Sequence, residues 1–74
     1  MGAKEMFKKL GLEYYAMCYK NDQILDITYS NNDGTWLTIS KNGIEYIENH
    51  NRKNLPRLTL KAINKQIEEL GWDE

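Results

Sequence analysis

Seventy-four residues with 41% hydrophobic and 28% charged side chains make one ordinary globular domain, too short for a second core and too apolar for disorder. A net charge of −1 argues against a protein that coats nucleic acid, and a single cysteine, Cys18, excludes an internal disulfide and any multi-cysteine metal site. The sequence shows neither a leader pattern nor an apolar run of membrane-spanning length, so a cytoplasmic setting is expected.

The first element is a short helix over Ala3 to Leu10. Ala3, Met6, Phe7 and Leu10 share one side, Lys4, Lys8 and Lys9 take the other, and Gly11 follows as a stop. Two turns do not hold themselves together in water, so this helix must dock on its neighbours. From Leu12 the pattern changes to strands: Leu12 to Tyr19, Ile24 to Ser30, Thr35 to Ser40 and Ile44 to Glu48. Between them lie Lys20-Asn21-Asp22-Gln23, Asn31-Asn32-Asp33-Gly34 and Lys41-Asn42-Gly43, which turn because Asn and Gly tolerate positive φ and Asp accepts bonds from nearby amides.

Those turns imply a register. An Asn21-Asp22 turn pairs Cys18 with Leu25, Ala16 with Ile27 and Tyr14 with Tyr29; a three-residue loop ending in Gly34 pairs Tyr29 with Leu37 and Ile27 with Ile39; an Asn42-Gly43 turn pairs Lys41 with Ile44 and Ile39 with Tyr46. The expected inner face is then Leu12, Tyr14, Ala16, Cys18, Leu25, Ile27, Tyr29, Leu37, Ile39, Ile44 and Tyr46. The outer face is Tyr15, Met17, Tyr19, Ile24, Asp26, Thr28, Trp36, Thr38, Glu45 and Ile47.

A polar connector, Asn49 to Arg57, carries the single proline and leads into an amphipathic helix from Leu58. Leu60, Ile63, Ile67 and Leu70 form its apolar stripe, Thr59 is placed to cap the first turn, and Gly71 ends the helix with Trp72 folding back. Leu58, Ile63, Ile67 and Leu70 are expected to be buried against Ile27, Leu37 and Ile39. The expected fold is a single α+β domain over residues 1–74, a helix, a four-stranded antiparallel meander and a helix, with both helices on one face of the sheet.

A solvated sheet face is normally polar, whereas this outer face holds three aromatics and two isoleucines. That composition points to a protein-binding platform of Tyr15, Tyr19, Ile24, Trp36 and Ile47, of which self-association is one form. The plainer reading is cross-strand pairing by good strand formers. A second surface is basic: Arg52, Lys53, Arg57, Lys61 and Lys65 occur with no acidic residue between Asn49 and Ile67, which suggests nucleic-acid phosphates as an alternative partner.

Catalysis is not expected, nor a cofactor or a metal. Cys18 reads as a small buried hydrophobe beside Leu25, His50 has no partner fixed in sequence, and Asp26 with Glu45 reads as a guard against edge pairing.

The two ends carry a resemblance. Ala3-Lys4-Glu5-Met6-Phe7 followed by Leu10-Gly11, and Leu60 through Trp72 (LKAINKQIEELGW), resemble a group of small proteins encoded by phages and prophages of Gram-positive bacteria. Their variable middle is rich in tyrosine, as it is here. The resemblance implies the same fold, a phage setting in the cytoplasm of a bacterial host, and no catalytic residue; by analogy with other small phage proteins it suggests an inhibitor of a host or defence protein. Many of the group have Glu just after the capping Thr, where this chain has Leu60-Lys61, which removes charge support from that helix start.

Overall fold

The computed structural model describes residues 1–49, 51–52 and 54–72, with Arg52 given by its backbone alone. The order is α1 (Ala3–Lys9), β1 (Glu13–Lys20), β2 (Gln23–Ser30), β3 (Thr35–Ser40), β4 (Gly43–Glu48), β5 (Asn51–Arg52), a 3₁₀ turn at Arg57–Thr59, and α2 (Leu60–Glu69). The strands form one antiparallel sheet in sequence order, and both helices pack on one face of it. The expected α+β meander is therefore present, extended by a short fifth strand inside what the sequence reads as connector. Asn49, at φ +52°, turns the chain so that Glu48 pairs with Asn51 and Ile47 with Arg52.

Both helices end in the same local motif. In α1, Leu12 N–H donates to Phe7 O at 2.9 Å and Gly11 N–H to Lys8 O at 3.0 Å; in α2, Trp72 donates to Ile67 O at 3.0 Å and Gly71 to Glu68 O at 3.1 Å. Gly11 and Gly71 sit at φ +85° and +73°, where a side chain would be strained. The following residues, Leu12 and Trp72, are thereby folded back onto the core.

The start of α2 departs from expectation. The Thr59 hydroxyl does not cap the helix; it donates back to Pro56 O at 2.6 Å, inside the 3₁₀ turn that Pro56 initiates. A 3₁₀ turn advances by about three residues per turn rather than 3.6, which rotates Leu58 off the helical stripe. Leu58 is consequently 79% exposed, and Leu60 is exposed as well, whereas Ile63 is buried and Ile67 and Leu70 pack against the core.

The core consists of Ala3, Phe7, Leu12, Ile27, Tyr29, Leu37, Ile39, Ala62 and Ile63. Phe7 stacks on Tyr29 with ring centroids 4.0 Å apart. The Tyr29 hydroxyl donates to buried Gln66 Oε1, which satisfies both polar groups where water does not reach. Burial first, and then the charge of Glu69, push the Tyr29 phenol up to about 12. Glu69 also joins the helices, because its carboxylate accepts the Ala3 N–H at 2.9 Å and so caps an α1 amino terminus that has no side-chain cap of its own.

Registers of β2 with β3 match expectation, with Tyr29 opposite Leu37 and Ile27 opposite Ile39. Asn31 Oδ1 organises that loop by accepting the amides of Asp33 and Thr35 at 2.8 and 3.1 Å. The β3–β4 turn falls at Lys41-Asn42 rather than Asn42-Gly43, so Ile39 faces Ile44 and Leu37 faces Tyr46. This shift of two positions leaves every side chain on its expected face.

β1 requires a correction. Its ends pair as expected, Tyr14 with Tyr29 and Lys20 with Gln23 across the positive-φ turn Asn21-Asp22, but two irregularities lie between. The first inserts Tyr15 as an extra residue, after which Ala16 faces Thr28, Met17 faces Ile27 and Cys18 faces Asp26; the second skips Leu25, so Tyr19 faces Ile24. Met17 thus packs inward where Ala16 and Cys18 were expected, and both of those lie on the open face. The physical reason is volume: an unbranched Met fills the space beside Ile27 that Ala or Cys would leave partly empty.

Candidate functional site

The open face of the sheet is built from three cross-strand rows. Ser30, Trp36 and Ile47 form the first, Ala16, Thr28, Thr38 and Glu45 the second, and Cys18, Asp26, Ser40 and Gly43 the third. At the first row, the inserted Tyr15 meets Trp36 edge to face, with centroids 4.7 Å apart and planes at 81°. An edge-to-face pair of this kind contributes about 0.5–1.5 kcal/mol and holds both rings in one orientation. Tyr15 remains 60% exposed and Trp36 36%, with Ile47 half-buried beside them.

The first bulge of β1 lies at this aromatic pair. Alternation already sets Tyr15 and Trp36 on one face, and at the bulge Tyr15 and Ala16 turn to the same side, with the phenol edge-to-face against the indole. Of the five residues expected on this platform, the structure brings together Tyr15, Trp36 and Ile47. Tyr19 and Ile24 are corrected to the helix-bearing side: they pair with each other, the Tyr19 hydroxyl contacts Met17 Sδ at 3.2 Å, and Ile24 borders a groove with Leu70 and Trp72.

The other half of the face is polar. Thr28 and Thr38 share a hydrogen bond at 3.1 Å, and the Ser40 hydroxyl donates to Gly43 O at 3.1 Å. Cys18 is exposed here, not buried beside Leu25, which is itself exposed. The neighbouring Asp26 carboxylate, by accepting the thiol hydrogen bond and by its charge, pushes the Cys18 thiol up, which keeps it protonated and weakly nucleophilic. Among the described residues, no three His, Cys, Asp or Glu side chains gather where they could hold a metal.

The described side chains of the basic alternative lie along the 3₁₀ turn and α2. Arg57 is exposed in the 3₁₀ turn, Lys61 lies on the helical layer, and Lys65 pairs with Glu68 at 3.4 Å. Arg52 enters β5 through its backbone, and Lys53 lies outside the described residues, as does His50. No helix of the described chain is long and apolar enough to cross a membrane. A scan against protein-family models finds no match, and neither a curated protein nor a solved structure matches the chain.

Proposed function

We propose that this chain is a non-enzymatic protein-binding module that engages its partner through the open sheet face, centred on Trp36 with Tyr15 and Ile47. The observation that carries the reading is the Tyr15–Trp36 pair, exposed on the face opposite the one on which both helices pack. Tyr and Trp are the residues that most often anchor protein interfaces, and a pre-oriented pair loses little conformational freedom on binding. The polar rows beside it, Thr28 with Thr38 and Asp26 with Ser40, supply hydrogen-bonding groups of the kind found at interface rims. In the phage setting that the terminal helices suggest, the partner is a host or defence protein in the bacterial cytoplasm, inhibited by occupation of its surface.

The test is capture from lysate of a Gram-positive host, with and without nuclease treatment, by the tagged protein, with Trp36→Ala as control and mass spectrometry as readout. A protein held by the wild type and lost with Trp36→Ala supports the reading. Capture of nucleic acid that is indifferent to Trp36, falls steeply with salt and weakens in Arg57→Ala/Lys61→Ala would move the function to the basic segment.

A further inference from the structure

The helical layer carries an apolar surface that the sheet-face reading does not use. α1 and α2 run antiparallel, with Glu69 at the end of α2 bonded to the start of α1. At their opposite ends they leave an open groove of about 220 Å³ lined by the apolar side chains of Met1, Met6, Leu10, Leu58 and Ala62. Leu58 is the most exposed large apolar side chain among the described residues. The groove is smaller than the roughly 300–1,000 Å³ of small-molecule pockets, a size that suits one or two apolar side chains of a larger partner.

Charge decides what kind of partner. Lys9 from α1 and Lys61 from α2 are the charged residues in its lining, one on each helix, and both are positive. Arg57 is exposed next to Leu58, and the first turn of α2 contains no acidic residue to offset the positive end of its helix dipole. A second copy of this chain fits poorly, since a two-fold contact would set these cations against their own counterparts. We propose that the groove docks an acidic amphipathic helix of a partner protein, with apolar side chains at i, i+3 or i+4 seated over Leu58 and carboxylates meeting Lys9 and Lys61.

A synthetic amphipathic helix with leucines at i, i+3, i+4 and i+7 and glutamates elsewhere is the probe, titrated into the isotope-labelled protein and followed by amide chemical shifts. Expected are shifts confined to Met6, Leu10, Leu58 and Ala62 and their neighbours, an affinity that falls with salt, a loss of about tenfold or more in Leu58→Ala, and abolition in Lys9→Glu/Lys61→Glu. These three positions are surface groups, so the variants are expected to fold, and their unshifted core amides verify it. Absence of shifts in the groove, equal binding of the same peptide with lysines for glutamates, or shifts centred on Trp36 would overturn the proposal. So would self-association of the peptide-free protein that disappears in Leu58→Ala, because the occupant would then be a second copy.

Discussion

The two faces of the sheet use similar residues for opposite ends. On the covered face Tyr29 has its ring stacked on Phe7 and its hydroxyl bonded to Gln66, so every part of the side chain contributes to the fold. On the open face Tyr15 meets the Trp36 ring and leaves most of its surface to solvent. A tyrosine is thus packed into the core or presented to solvent according to what its backbone position sets it against.

That contrast can be broken first at the core. Ile63→Ala removes a buried contact between α2 and the sheet and should cost about 2–5 kcal/mol in urea denaturation, enough to leave so small a domain largely unfolded. A variant with unchanged stability would mean that α2 is not held by this face. Tyr29→Phe strands the Gln66 amide and should cost about 1–3 kcal/mol. It should also change the alkaline limb of stability. The folded phenol, near 12, titrates above the unfolded value of about 10, so the wild type keeps this contribution below pH 10 and loses it as the pH rises through about 12. Phenylalanine has no such limb, and a stability profile unchanged between pH 9 and 12 would contradict the burial of the hydroxyl.

Smaller effects sharpen the comparison. Gly71→Ala has room for the added carbon but not the backbone angle, and should cost about 1–2 kcal/mol while loosening Trp72, read by its fluorescence. On the open face, Asp26→Ala should change stability by less than about 0.5 kcal/mol. It should bring the Cys18 thiol back toward the ordinary thiol range and speed its alkylation in mildly alkaline buffer. Slow alkylation that requires unfolding in the wild type would place Cys18 inside and restore the unbulged register.

Much of this architecture was legible in the chain because it rests on local chemistry. Gly11 and Gly71 marked helix ends, Asn21-Asp22 marked a turn at positive φ, and the loop ending in Gly34 set the β2–β3 register. What escaped depends on volume and contacts between distant residues. Nothing local in Tyr14-Tyr15-Ala16-Met17 states that Met17 is needed beside Ile27, so the bulge, and with it the positions of Cys18 and Tyr19, is not readable from alternation, nor is the second irregularity at Leu25 that moves Ile24. Pro56 was a warning that the helical stripe does not extend back to Leu58, since the turn it starts is not α-helical. β5 has no apolar pattern, and Asn49 was its one sign. For the candidate site, alternation places Tyr15 and Trp36 on one face, whereas their edge-to-face contact depends on packing between strands that are distant in sequence.

The role proposed for Trp36 is recognition and not folding. Equilibrium urea unfolding of Trp36→Ala, followed through the remaining Trp72, tests it directly. A cooperative transition with Trp72 still packed and a loss of about 1–2 kcal/mol, no more than the edge-to-face pair and its local burial supply, is the predicted result. A non-cooperative transition, or a loss equal to that of Ile63→Ala, would show that the open face belongs to the core and would contradict it.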